Sequence, residues 1–146
     1  MISILNNYPN PTPLYPFSQM QKSITQPPKQ SEAQLQSRCV VWFKNNFRDL
    51  RNLYYCNKND GNKHKIAGSL DMAMGITPGI PDTFLAVPRP EHGYWGLYIE
   101  FKTLTGKESP AQKIVAAQLR EQGYRVEVVR TEEQFRQLIE GYLSLQ

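Results

Sequence analysis

The chain is 146 residues long, enough for one ordinary domain and too short for two well-packed ones. Its formal charge is +4, from 17 Lys and Arg against 13 Asp and Glu, and 40% of its residues are apolar, as suits a soluble globular protein. No stretch reaches the roughly 18 apolar residues of a membrane-spanning helix, and two cysteines are too few for a disulfide scaffold or a four-cysteine zinc site.

Cys39 and Cys56 read as reduced core thiols of a cytoplasmic protein, the alternative being one disulfide between them. The start, Met1 to Asn7, has no basic flank, and its apolar run is too short for a secretory leader. Lys22 and Lys29 lie in a stretch, 1–31, that has no acid. The remainder is close to balance, so any basic face on the folded part has to arise by clustering.

Residues 1–30 carry Pro9, Pro11, Pro13, Pro16, Pro27 and Pro28 among Asn, Ser, Thr and Gln. Prolines that dense remove backbone donors and break helices, so this segment is expected to be a flexible, partly extended arm. Order is expected from residue 31 to residue 146. Ser31-Glu32-Ala33-Gln34 fits a capping box, and Leu35, Cys39, Trp42, Phe43 and Phe47 follow at helical spacing. Leu53 to Cys56 reads as a short strand. Residues 57–69 read as a polar loop with Lys63, His64 and Lys65, and a short helix is expected over about 68–75.

Gly75 and Pro78-Gly79-Ile80-Pro81 then punctuate the chain. Asp82 to Val87 is a strand candidate, Pro88 to Gly93 a turn, and Tyr94 to Thr103 a second strand. Ser109-Pro110-Ala111-Gln112 is another capping box, with proline at the tolerated first position. That helix should stop at Gly123. Residues 124–130 make a strand, and Thr131 caps a last helix with Phe135, Leu138, Ile139, Tyr142 and Leu143 along one face. The order implies an α/β domain with a mixed central sheet flanked by helices.

The chemistry concentrates in Glu100-Phe101-Lys102. Alternation along a strand puts Leu97, Ile99 and Phe101 on one side and Tyr98, Glu100 and Lys102 on the other. Two residues span roughly 6.7 Å, so an acid and a lysine flank one spot. Taken alone, that pair is equally a solvated ion pair on an open face. Asp82, just after the Pro-Gly-Ile-Pro turn, is what makes it a candidate site. If the two strands pair as a hairpin, Asp82 comes to the end where Glu100 and Lys102 sit. Two carboxylates at a sheet edge suit Mg²⁺ or Mn²⁺. A metal there can polarise a phosphoryl oxygen and acidify a bound water, and Lys102 can steer the water or stabilise the charged phosphate.

Pro81-Asp82, then Glu100-Phe101-Lys102, resembles the signature of the PD-(D/E)xK (restriction-endonuclease-like) nucleases. Gly75 to Asp82, Gly96 to Lys102, Ser109 to Gln112 and Gly123 to Val126 together resemble its VRR-NUC branch, the virus-type replication-repair nucleases, over about residues 32–143. The resemblance implies an α/β nuclease core with metal held by Asp82, Glu100 and the carbonyl of Phe101, and Lys102 as the catalytic lysine. It maps a first-helix acid onto Glu32, which is alternatively a charge complementing the helix dipole. It maps an active-site glutamine onto Gln112, which the capping box also claims. One side chain is not expected to serve both. Thr83 departs from the family pattern, which commonly has an apolar residue there.

Candidate phosphate contacts are Lys63, His64 and Lys65 in the polar loop, with a solvated loop as the alternative, and Lys107 and Lys113, which with Arg130 are expected to flank the site, Lys113 being alternatively a surface residue of its helix. The expected function is a Mg²⁺- or Mn²⁺-dependent DNA endonuclease. The resemblance further implies branched DNA such as four-way junctions as substrate, a homodimer, and a phage or prophage setting in a bacterial cytoplasm. The alternatives are another nuclease of the superfamily, restriction-type or single-strand, and an inactive nucleic-acid-binding module.

Overall fold

The computed structural model describes residues 30–57 and 72–145. The readings made for the Pro-rich segment up to residue 29, for Lys63, His64 and Lys65, and for the start of the helix at 68–75 lie outside the described residues. Of that helix, Met72 and Ala73 are helical, and Gly75 N–H closes the turn on the Met72 carbonyl (3.0 Å).

Helix α1 spans Glu32–Asn46 and begins as its capping box requires. Ser31 Oγ accepts from Gln34 N–H (3.2 Å), and Gln34 Oε1 accepts from Ser31 N–H (3.0 Å), satisfying two donors that the helix start would leave open. Leu35, Cys39 and Phe43 are buried along one stripe, with Trp42 and Phe47 packed at its margin. After a short 3-10 turn, β1 (Tyr54–Cys56), β2 (Thr83–Leu85) and β3 (Leu97–Phe101) follow, then α2 (Pro110–Glu121), β4 (Arg125–Val129) and α3 (Glu132–Leu143). Thr131 caps α3 by accepting from Gln134 N–H.

The strands form one mixed sheet in the order β1-β2-β3-β4. β2 pairs antiparallel with β1 and β3, and β4 is parallel to β3, which the α2 crossover makes possible. Tyr54, Leu85, Leu97, Ile99, Phe101 and Val129 join α1 and the α3 residues Phe135, Ile139 and Tyr142 in one core. Ala116 of α2 and Val126 of β4 are buried outside that cluster. Thr83 is fully buried, and its hydroxyl meets Tyr54 Oη at 3.0 Å and the Ile99 carbonyl at 3.4 Å. The departure at position 83 thus brings its own hydrogen-bond partner into the core.

Two expectations change. The paired strands are shorter than read, because Phe101 N–H donates to the Asp82 carboxylate and not to a backbone carbonyl, so the ladder ends at Thr83↔Ile99. At the other end, Trp95 N–H turns to the Gly123 carbonyl (2.9 Å). Cys56 is not a core thiol: it ends the edge strand, exposed, while Cys39 is buried, and both are free.

Candidate active site

The turn before β2 is built to press on α2. Gly79 has φ +90°, and a Cβ there would lie 2.6 Å from the Ala111 carbonyl oxygen. Only a residue without a side chain allows this approach. Asn57 holds the same segment: its N–H donates to the Asp82 carbonyl and its Nδ2 to the Pro81 carbonyl, both at 2.8 Å. Asp82, β3 and the first turn of α2 are thereby brought together.

Asp82 is the next position beyond the Thr83↔Ile99 pair, opposite Glu100. Its Oδ2 accepts from Phe101 N–H at 2.7 Å. Thr83, Leu85, Leu97, Ile99 and Phe101 pack on the core side, so alternation sends Asp82, Glu100 and Lys102 to the other face. Glu100 is 3% exposed and Lys102 7% exposed, and Lys102 Nζ lies 2.7 Å from Glu100 Oε1. The solvated-ion-pair alternative is excluded by that burial.

Gln112 resolves the conflict set by its two candidate roles. Its Oε1 accepts from Ser109 N–H at 2.8 Å, which only the carbonyl end of the amide can do. Its Nε2 is then the end that donates to Glu100 Oε1. One side chain performs both tasks because the two ends of an amide differ. From α1, Glu32 reaches across, with Oε1 accepting from Thr103 N–H (3.3 Å) and Oε2 standing 4.0 Å from Lys102 Nζ.

The electrostatics agree with the geometry. Burial pushes the Glu100 carboxyl up to about 7; the Lys102 hydrogen bond opposes this, and Asp82 and Glu32 reinforce it. Burial also raises Asp82, against the pull of Phe101 N–H and Lys102. For Lys102, burial acts downward but is outweighed by the Glu100 hydrogen bond and the three carboxylates, so its ammonium is held protonated above the ordinary lysine range.

Glu32, Asp82, Glu100, Phe101, Lys102 and Gln112 therefore meet at one place. Phe101 puts its ring in the core and its N–H on Asp82. Lys107 and Lys113 are exposed, one residue beyond Gly106 and Gln112 respectively. Arg130 is half-buried, and its Nη1 donates to the carbonyls of Thr103 (2.6 Å) and Gly106 (2.7 Å). Asn57 and Thr103 had no marker in the sequence, since both act mainly through backbone contacts across the fold.

Glu100 Oε2 is buried and meets no donor among the described residues. A buried carboxylate oxygen without a partner is costly, and a cation between it and Asp82 would satisfy it. The oxygen-only donor pair fits a hard divalent ion. Among the described residues no three His, Cys, Asp or Glu side chains stand close enough to hold one ion; the candidate set is the Asp82 and Glu100 pair, with Glu32 engaged on Thr103.

The chain matches the VRR-NUC domain over residues 17–133, which includes part of the segment before Ser31. A solved structure, "VRR_NUC domain protein", shares its fold with a TM-score of 0.69 and 23% sequence identity, over 81% of this chain and 92% of that one. A comparison with curated proteins finds no match. With the family match spanning most of its length, and with the mixed sheet and helices of an α/β nuclease core, the chain belongs to the VRR-NUC nuclease domain family.

Proposed function

We propose that this chain is a divalent-metal-dependent endonuclease that hydrolyses DNA phosphodiester bonds. The observation that carries this reading is Asp82 opposite Glu100, whose Oε2 lacks a donor, with the Lys102 ammonium 2.7 Å from the other Glu100 oxygen. Asp82 and Glu100 would hold Mg²⁺ or Mn²⁺, with the Phe101 carbonyl beside them. The ion, when bound, supplies Lewis-acid polarisation of the phosphate and acidification of water.

The chain's own groups do the rest. Phe101 N–H and Asn57 hold Asp82 in place. Gln112 and Lys102 hold one oxygen of the Glu100 carboxylate and leave its second oxygen for the cation that the pair would bind. Lys102 keeps its proton and presents positive charge where charge develops on the phosphate. Glu32 adds a third carboxylate near Lys102, which would reach the cation through water. Exposed Lys107 and Lys113 stand at positions suited to backbone phosphates.

Branched DNA as substrate and a homodimer as the acting species are part of the same proposal, supported by the family resemblance. Two subunits supply two sites for two opposed strands, which a single domain of this size does not. The test is cleavage of four-way junction, flap, single-stranded and linear DNA in Mg²⁺, Mn²⁺ and EDTA, with sedimentation for subunit number. Metal-dependent cutting that favours the junction is expected. Equal cutting of all four substrates would favour another nuclease of the superfamily, and junction binding without scission would favour an inactive binding module.

A further inference from the structure

The turn that follows Lys102 is held from two sides. Gly106 N–H donates to the Thr103 carbonyl (3.1 Å), closing the turn. From β4's end, Arg130 Nη1 donates to the carbonyls of both Thr103 and Gly106, at 2.6 and 2.7 Å. From α1, Glu32 Oε1 accepts from Thr103 N–H. Gly106 is not among the described glycines with positive φ, so its backbone does not demand glycine. Its lack of a side chain makes room: a Cβ there would lie 2.9 Å from Thr103 Oγ1 and 3.1 Å from Glu32 Oε1.

We propose that Arg130 is a positioning residue of the hydrolytic site, acting through the Thr103–Gly106 turn on Glu32. A guanidinium nitrogen carries two N–H bonds that diverge in one plane, which suits two carbonyls on the same turn. Fixing those carbonyls fixes the Thr103 peptide, and its N–H then sets where the Glu32 carboxylate stands relative to Lys102, 4.0 Å away. Gly106 completes the arrangement by leaving the carboxylate its space. This inference rests on the reading of Glu32 as part of a nuclease site.

The experiment uses the full chain and compares Arg130→Ala, Arg130→Lys and Gly106→Ala, each alone and with Glu32→Ala. Cleavage kinetics in Mg²⁺ are read beside amide hydrogen exchange at Thr103. Arg130→Ala should lower kcat by about ten- to a hundredfold, the range for residues that support a catalytic group from behind, and leave DNA affinity within about twofold. Thr103 exchange should accelerate, and Arg130→Lys should recover part of the loss. With Glu32 already replaced, neither Arg130→Ala nor Gly106→Ala should lower kcat further. Wild-type kcat in Arg130→Ala, an equal loss with and without Glu32, or unchanged Thr103 exchange would overturn the proposal. Should Arg130→Ala fail to fold, Arg130→Lys and Gly106→Ala decide the same question. Absence of metal-dependent cleavage in the wild type would defeat the nuclease reading, and Thr103 exchange would still decide whether Arg130 fixes the turn.

Discussion

Gln112 donates through Nε2 to Glu100 Oε1 while its Oε1 accepts from Ser109 N–H at 2.8 Å. The side chain that starts α2 therefore also steadies the acid that β3 presents, and the helix cap and the candidate metal ligand share one amide. Because Gly79 lets the Pro78–Pro81 turn seat directly on Ala111, the same helix start is held against the segment that carries Asp82.

That shared amide separates two substitutions that otherwise look alike. Ser109→Ala and Gln112→Ala each remove half of the capping box and should each destabilise the fold by about 1 kcal/mol in urea denaturation. Only Gln112→Ala also releases Glu100. Cleavage should stay near wild type in Ser109→Ala and fall about tenfold in Gln112→Ala. Equal activities in the two variants would show that the Gln112 contact with Glu100 is catalytically idle.

The Glu100 carboxyl, raised from 4.5 to about 7 chiefly by burial, gives stability a pH dependence with a definite sign. The folded chain holds this proton more tightly than the unfolded chain. The group's contribution is thus full below about 4.5 and is lost as pH rises through about 7. Asp82, raised as well, acts in the same direction. In EDTA the melting temperature should fall between about pH 4.5 and about pH 7 and level off above that, and Glu100→Gln should flatten the change. Saturating Mn²⁺ should flatten it too, since a bound cation favours the ionised carboxylate. A wild-type profile in EDTA that does not slope would contradict the burial of an ionised Glu100.

Lys102 touches Glu100 and stands near Glu32, so its loss should be felt in the reaction more than in binding. Lys102→Ala is expected to reduce cleavage by at least about a hundredfold, as for removal of a donor aimed at developing charge. DNA affinity, measured by fluorescence anisotropy, should change little, because it depends mainly on phosphate contacts elsewhere and weakens steeply with salt. Full cleavage by the variant would remove Lys102 from the mechanism.

The Thr83 and Tyr54 hydroxyls, 3.0 Å apart in the core, make a closed pair. Thr83→Val strands the Tyr54 hydroxyl and should cost about 1–3 kcal/mol. Tyr54→Phe alone leaves Thr83 its 3.4 Å contact with the Ile99 carbonyl and should cost less. The double variant should be more stable than Thr83→Val by itself, a coupling that denaturant titration reads directly. Strict additivity would mean that the two hydroxyls do not depend on one another.

Much of this architecture is legible in the residues. Capping boxes at Ser31 and Ser109, apolar stripes in α1 and α3, and alternation in β3 are local patterns with local causes, and each lies where the periodicity puts it. The Glu100 and Lys102 pair is legible in kind but not in burial, because alternation assigns a face without saying that Gln112 of α2 and Glu32 of α1 come to meet it. Gln112 is harder still: a one-letter pattern does not reveal that one amide has two usable ends. Asn57 and Thr103 carry no pattern at all, and Arg130 is legible only as a basic residue near the site, since the partners that matter are carbonyls and a carboxylate 24 or more positions away. Cys56 illustrates the opposite error, a residue type that is usually buried but here ends an exposed edge strand.

If Asp82 and Glu100 together hold a divalent cation, calorimetric titration of Mn²⁺ must distinguish the wild type from Asp82→Asn. The wild type should give a binding isotherm whose affinity falls by at least about tenfold in the variant, with the fold retained. Equal Mn²⁺ affinity in the two proteins, or no binding to the wild type, would contradict this joint binding.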